Sequence, residues 1–249
     1  MTDSFFKKIE RKIKSSNYSA YTFCFLVFIL VLYGGLFVFG KATNIHQVDG
    51  ENQYLLALIY YSDWLKEILR ELFLNHRLLI PEWDFAIGEG ADIITTFTYY
   101  AIGDPLTLPC ILFNTDNMYL FYELLTFFRL YFAGIAFLLL CRHKIGDMTN
   151  LQAVTCAFIY VFCGGISSSM GITAFLTPLI YFPLLVLGVE RIFDGKKGTW
   201  LILTTFLCSM SNFYFFYICS LLLVIHTICR LVMTYRKDIR GFITCALKF

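Results

Sequence analysis

The chain has 249 residues, of which 58% are hydrophobic and 15% are charged, and its formal net charge is +2. Soluble domains are nearer half apolar and a quarter charged, so the composition excludes an ordinary soluble domain and predicts a membrane protein. The nine cysteines lie mostly in apolar runs and form no CxxC motif. This pattern excludes a disulfide framework and a cysteine-based zinc or redox motif.

The first transmembrane span is predicted over residues 20–40, which carry no charge. About twenty apolar residues in a helix cross the hydrocarbon core of a bilayer. A basic arm over residues 1–19 precedes this span. Because positively charged flanks stay in the cytoplasm, the amino terminus is predicted to be cytoplasmic.

Residues 41–118 are predicted to form one large external loop. By count, the loop has 11 of the chain's 18 acidic residues but four of its 20 basic residues. Anionic lipid and nucleic acid attract the opposite charge, so a nucleic-acid partner is excluded. Within the loop, Gln53–Phe73 has leucines at three- and four-residue steps and charges on most of the other side. This pattern predicts an amphipathic helix lying in the outer membrane interface.

Five further spans are predicted, over residues 119–141, 151–170, 173–190, 200–210 and 213–232. The last two are separated at "SMSN" because the apolar run from Trp200 to Leu231 is too long for one untilted helix. Residues 233–249 are predicted to be a cytoplasmic tail or the start of another span. The predicted fold class is an all-α polytopic membrane protein with about six transmembrane helices, located in the cell membrane.

Asp49, in "HQVDGENQ", has two interpretations. In the first, its side chain caps the following helix and its charge suits the helix dipole. In the second, it is a carboxylate at the membrane surface that takes a proton from an incoming hydroxyl group. A capped carboxylate is a poorer base, so the two interpretations are compatible only in part.

The stretch "PEWDFAIGEGADIITTFTYYAIGDP" (Pro81–Pro105) has five acidic residues, no basic residue and many aromatic ones. Each acid alone is more often a turn residue or a helix cap. Together, carboxylates beside aromatic faces suit a sugar, which has an apolar C–H face and a rim of hydroxyl donors. The same acids would suit Mg²⁺ or Mn²⁺, which prefer oxygen ligands. The residues predicted to bind a sugar or its acceptor are Trp83, Asp84, Glu89, Asp92, Tyr99, Tyr100 and Asp104.

Arg129 lies near the middle of the second predicted span. A charge at that depth costs about 3 kcal/mol on insertion scales, so such residues are candidates for function. One interpretation is a structural ion pair, but Glu123 lies on another face of the same helix. The other is that the guanidinium holds a lipid phosphate, for which its fork geometry is suited.

Four stretches together resemble the bacterial YfhO membrane-protein family, whose members resemble the GT-C class of multi-span glycosyltransferases. They are "VDGENQ", the Pro81–Pro105 stretch, "PLIYFPLLVLGVERI" and "SNFYFFYI". The resemblance implies sugar transfer from a polyprenyl-phosphate carrier to an outer-surface acceptor, such as a teichoic-acid-type polymer of the cell envelope. In GT-C enzymes an acid in the first external loop is the usual catalytic residue, and Asp49 occupies the matching position. The match covers the amino-terminal part of a typical member, so the chain is expected to be a fragment whose own activity is left open.

The mechanism expected from the resemblance is displacement at the anomeric carbon with the lipid phosphate as leaving group. Asp49 would act as the base, and Arg129 or a divalent cation would stabilise the departing phosphate. Two other classes of protein remain open. A transporter or flippase subunit would use Arg129 and Glu123 along a pathway, and a non-catalytic scaffold would tolerate neutralisation of every loop acid.

Overall fold

The computed structural model describes residues 2–41 and 43–235, with the backbone alone for residues 2–16. Helix α1 (Thr2–Gly40) is continuous, so the basic arm and the first span belong to one helix. Residues 236–249, which make up most of the predicted tail, lie outside the described residues.

The loop predicted over residues 41–118 contains mostly short elements. A π-helical turn (Gly50–Leu55) continues into α2 (Leu56–Leu74). The helix predicted over Gln53–Phe73 is therefore confirmed in its residue range. Its remaining elements are the antiparallel strands β1 (Trp83–Asp84) and β2 (Ala91–Asp92), helix α3 (Ile93–Phe97), and 3-10 turns at Leu108–Leu112 and Thr115–Asn117.

The rest of the described chain is a helical bundle. Its helices are α4 (Met118–Ile145), α5 (Asn150–Val161), α6 (Gly164–Ser169), α7 (Thr177–Phe193), α8 (Thr199–Ser211) and α9 (Phe213–Tyr235). Within the described residues, four segments are long and apolar enough to cross a membrane: Asn17–Gly40, Thr115–Ile145, Thr173–Phe193 and Phe213–Tyr235. Helices α5 and α8 are apolar but shorter. The chain is therefore an all-α polytopic membrane protein.

Two predicted helix boundaries can be compared with the structure. The helices on either side of "SMSN" are separated at Asn212, whose backbone is extended (φ −167°, ψ 110°). The segment predicted as one span over residues 151–170 contains two helices, because α5 ends at Val161 and α6 begins at Gly164. The interruption lies at Phe162 and Cys163, directly before the "GGISSS" sequence of α6.

Helix α4 connects the loop to the bundle. Its first turns pack into an apolar cluster inside the loop, where Tyr122 and Leu125 lie with Tyr54, Leu58 and Tyr61 from the π turn and α2. Its later turns belong to a second cluster shared with α1, α5 and α7. The loop is therefore a packed layer on one end of the bundle.

The "GDP" turn docks the loop onto the break between α8 and α9. Gly103 has φ +92°, and a Cβ there would lie 2.2 Å from the carbonyl oxygen of Met210. The side-chain amide of Asn212 donates to the carbonyl oxygen of Tyr99 at 2.6 Å. Only glycine meets both demands at position 103, positive φ and close backbone approach.

Candidate functional site

Asp49 begins the helix that crosses the loop, but its side chain makes no capping hydrogen bond. Its Oδ1 accepts from Nε2 of Gln53 at 3.1 Å, and its backbone amide donates to Nδ1 of His46 at 3.2 Å. The capping interpretation of Asp49 is therefore wrong. The carboxylate is partly exposed, and it precedes a π-helical turn, a feature frequent at functional sites.

The segment that carries Asp49 is fixed to the bundle through the carbonyl group of Gly171. The His46 amide donates to that oxygen at 3.0 Å, and the Tyr122 hydroxyl donates to it at 3.1 Å. Gly50 is packed so closely that a Cβ there would lie 2.6 Å from the same oxygen. These contacts hold Asp49 in a defined position at the end of the bundle.

Arg129 and Asp104 form a buried ion pair. Nη2 of Arg129 donates to Oδ2 of Asp104 at 2.6 Å, and the two side chains are 1% and 2% exposed. The other two guanidinium nitrogens, Nε and Nη1, are buried with no hydrogen-bond partner in the described part of the protein. Glu123 is not the partner of Arg129, since its Oε1 instead accepts from the Thr43 hydroxyl and the Asn44 amide.

A groove of about 390 Å³ lies between α2 and β1 and is hereafter called the acidic groove. It is lined by three aromatic residues, three carboxylates and two apolar residues: Tyr60, Trp64, Trp83, Asp63, Glu67, Asp84, Pro81 and Ile93. Trp83 is 56% exposed, so its ring presents a large accessible surface. Among the described residues, no basic side chain lines this groove, so its charge is negative, although Nζ of Lys66 lies 3.4 Å from Oδ1 of Asp63.

Hydrogen bonds hold Asp84 in its ionised form at the rim of the acidic groove. The Tyr60 hydroxyl donates to Oδ2 at 2.7 Å, and the Ala86 amide donates to Oδ1 at 2.8 Å. Together they lower the pKa of Asp84, with the Tyr60 contact the larger cause. Burial, followed by the contact with Asp84, raises the pKa of the Tyr60 hydroxyl, so Tyr60 stays a donor at neutral pH.

The other predicted sugar-binding residues lie outside the lining of the acidic groove. Glu89 is exposed in the turn between β1 and β2. Asp92 caps α3 by accepting from the Thr95 amide at 2.6 Å, and hydrogen bonds from Thr95 lower its pKa. Tyr99 and Tyr100 pack against Tyr54 in the aromatic core of the loop. The structure therefore brings Trp83 and Asp84 together, and separately pairs Asp104 with Arg129.

Four residues of the acidic groove come from α2, and none of them is among the residues predicted to bind a sugar: Tyr60, Asp63, Trp64 and Glu67. In the sequence, Asp63 and Glu67 fit the polar side of an amphipathic helix. Their shared signal is a spacing of three to four residues along one helix face. That face meets Trp83 only through the packing of the hairpin on α2.

The described residues contain no group of three His, Cys, Asp or Glu side chains placed to hold a metal ion. The acids of the Pro81–Pro105 stretch are spread over the groove, the hairpin turn, the α3 cap and the buried ion pair. Carboxylates separated in this way do not form one oxygen cage of the kind that Mg²⁺ or Mn²⁺ requires.

Comparison with known proteins places this architecture in a family. Residues 20–249 match the model of a family described as bacterial membrane protein YfhO. No curated protein and no solved structure matches the chain. The matched region includes α2, the acidic groove, the Asp104–Arg129 pair and every helix of the bundle. The chain belongs to the YfhO family of bacterial membrane proteins.

Proposed function

We propose that this protein takes part in sugar transfer from a polyprenyl-phosphate carrier to an acceptor polymer on the outer surface, such as a teichoic-acid-type polymer. The observation that carries the proposal is the acidic groove, in which three aromatic rings alternate with three carboxylates. Aromatic faces pack on the C–H side of a sugar ring, and carboxylates accept hydrogen bonds from its hydroxyl groups.

The acidic groove and Asp49 are too far apart to contact the same sugar ring. Tyr60 follows Asp49 by eleven residues, which pass through the π-helical turn into α2 and correspond to about three helical turns. A polymeric acceptor fits this separation, because one unit can lie at Asp49 while a more distant unit lies in the groove. A small free sugar would use only one of the two positions.

In the proposed reaction, Asp49 removes the proton from the acceptor hydroxyl group. The acceptor oxygen forms a bond to the anomeric carbon while the bond from that carbon to the lipid phosphate oxygen breaks. Partial exposure of the Asp49 carboxylate and its lack of a helix-capping role support this assignment. Anchoring of the segment to Gly171 would keep the base in place.

Arg129 is proposed to stabilise the departing lipid phosphate. Its Nε and Nη1 groups are buried and have no hydrogen-bond partner among the described residues, so each can donate to a phosphate oxygen that enters beside Asp104. Lysine has one compact ammonium group and cannot place donors in the fixed directions of a planar guanidinium. An Arg129→Lys variant should therefore use the lipid-linked donor less well. Full activity of an Arg129→Leu variant would show that Arg129 has only a packing role.

A transfer assay with a lipid-linked sugar and a purified cell-envelope polymer tests the function. Wild-type protein should attach labelled sugar covalently to the polymer. A Trp83→Ala variant should raise the KM for polymer about tenfold, because a large stacking surface is lost. A Phe85→Ala variant is the matched control, since Phe85 is also exposed and on the same hairpin but does not line the groove.

The same assay separates the other two classes of protein. Movement of the lipid-linked sugar across a vesicle membrane without covalent transfer would identify a transporter or flippase subunit. Binding of the polymer with neither transfer nor movement would identify a scaffold. Either result would contradict the proposed transfer.

A further inference from the structure

A second groove lies between α1 and α4, at the carboxyl-terminal end of α1, and is hereafter called the α1–α4 groove. Its volume is about 550 Å³. Its walls are apolar, and they include Leu30, Tyr33 and Phe37 from α1 and Leu120, Leu124 and Phe127 from α4. Lys41, Thr43 and Glu123 also line it. Lys41 and Thr43 follow the end of α1, and Glu123 lies near the start of α4, so the polar residues are at one end of the groove and apolar residues line the rest.

Glu123 has an unused buried acceptor. The residue is 8% exposed. Its Oε1 accepts from the Thr43 hydroxyl at 2.5 Å and from the Asn44 amide at 2.7 Å, whereas Oε2 is buried with no partner among the described residues. The side-chain nitrogen of Asn44 is also buried and unpaired within the described part of the chain. Burying a carboxylate oxygen without a hydrogen-bond donor costs free energy. A ligand that brings a donor to this oxygen therefore gains binding free energy.

Lys41 adds a positive charge at the same polar end. It follows directly after α1 with φ +47°, and its side chain is exposed. The polar end of the groove therefore has one carboxylate and one ammonium group beside an apolar trough. A ligand that matches this pattern has a cationic donor, an anionic group close to it, and a hydrocarbon chain.

The length of the α1–α4 groove matches an acyl chain. Its lining starts at Ile29 on α1 and reaches Lys41, the residue directly after the helix, and the helical part from Ile29 to Gly40 is about 16 Å long at 1.5 Å per residue. One leaflet is about half of a hydrocarbon core that is roughly 30 Å thick. One extended lipid chain of a single leaflet therefore fills the trough from its polar end.

We propose that the α1–α4 groove binds a phospholipid with a primary-amine head group, of the phosphatidylethanolamine type. The ammonium group donates to Oε2 of Glu123, the phosphate lies near Lys41, and an acyl chain occupies the trough. A choline head group has no N–H donor for Oε2. A glycerol head group has no positive charge, and its lipid brings a net negative charge toward Glu123. The site contains neither Asp49 nor Arg129, so this inference does not depend on sugar transfer.

Native mass spectrometry of the chain purified in detergent tests lipid selection. Ethanolamine, choline and glycerol phospholipids with identical acyl chains are supplied in equal amounts. The ethanolamine lipid should be retained about tenfold more than the choline lipid, the ratio expected for one charge-assisted hydrogen bond. Equal retention of these two lipids, or stronger retention of the glycerol lipid, would overturn the proposal.

Two adjacent glycines give a matched pair of variants. Gly34 lines the α1–α4 groove, and a Cβ there would meet only Cδ1 of Leu30 at 3.7 Å. Gly35 does not line it, and a Cβ there would meet nothing within 4 Å. A Gly34→Leu variant should therefore fill the trough and lose about tenfold of the bound ethanolamine lipid, whereas Gly35→Leu should bind as wild type does.

A Glu123→Gln variant tests the head-group contact separately. Retention of the ethanolamine lipid should fall to that of the choline lipid, because the amide cannot make the charge-assisted bond. A preference that survives in Glu123→Gln would overturn the proposal. Equal retention by the two glycine variants would also overturn it, and this comparison holds even where Glu123→Gln does not fold.

Discussion

At the scale of single residues, the Asp104–Arg129 pair is a buried ionic contact that joins the loop to the bundle. Both side chains are almost fully buried, and they join the "GDP" turn to the middle of α4. Removing either partner leaves the other charge buried without compensation. The pair therefore acts as a positioning contact for the loop as well as a candidate phosphate site.

We predict that Asp104→Asn and Arg129→Gln each lower the free energy of unfolding by about 3–5 kcal/mol. The double variant should lose less than the sum, because it leaves no unpaired buried charge. Thermal or denaturant unfolding of the four proteins in detergent micelles measures this coupling. Strictly additive losses would show that the two residues stabilise the protein independently.

At the scale of elements, long apolar runs predict the membrane spans, and apolar periodicity predicts the helix in the loop. The helix expected over Gln53–Phe73 is found as the π turn and α2, which ends at Leu74. The break within residues 151–170 falls at Phe162 and Cys163, inside an apolar run, and such a run does not reveal where a helix ends. Whether a segment is helical follows largely from its own residues, whereas the point at which the helix is interrupted depends on how the segment packs.

Only part of the candidate site was accessible from the sequence, for a related reason. Trp83 and Asp84 are adjacent in an acidic, aromatic stretch, so their shared site was predicted from composition. Tyr60 and Glu67 join them only because the hairpin packs on α2, a contact between segments about twenty residues apart. The partner of Arg129 was missed likewise, since Asp104 lies on a different element.

The docking of the "GDP" turn predicts different outcomes at two glycines with positive φ. Gly103→Ala should destabilise the protein by about 2–4 kcal/mol, from backbone strain and from the clash with the Met210 carbonyl. Gly88→Ala should cost only about 1 kcal/mol, because φ is +60° but nothing lies within 4 Å. Unfolding midpoints and protease cleavage of the loop measure both effects. Equal destabilisation by the two variants would contradict the close docking at Gly103.

At the scale of the whole molecule, the loop forms a packed layer on one end of a helical membrane bundle. Its core merges with the first turns of α4, and its "GDP" turn reaches the break between α8 and α9. The acidic groove and Asp49 belong to this layer. The positive-inside rule predicts that both lie on the outer surface.

The orientation is tested by single cysteines placed in a background that lacks the native ones. In intact cells, an impermeant maleimide should label Glu89→Cys and should not label Lys197→Cys, since residue 89 is predicted to be external and residue 197 cytoplasmic. Both positions are exposed, so accessibility within the protein does not decide the result. Labelling at 197 but not at 89 would invert the proposed topology.

The central claim is that Asp49 acts as the base in sugar transfer, and an Asp49→Asn variant tests it most directly. Asparagine keeps the size of the side chain and an oxygen that can accept from Gln53, so the fold and expression level should be unchanged. As a base asparagine is useless, and loss of general-base catalysis lowers a rate by roughly 10² to 10⁴. Glu51→Gln is the matched control, because it removes one exposed acid two residues away.

The measurement is the rate of covalent sugar transfer from the lipid-linked donor to the polymer, at equal amounts of folded protein. We expect Asp49→Asn to lose at least about a hundredfold in rate while Glu51→Gln stays near the wild-type rate. Near-normal transfer by Asp49→Asn would contradict the account.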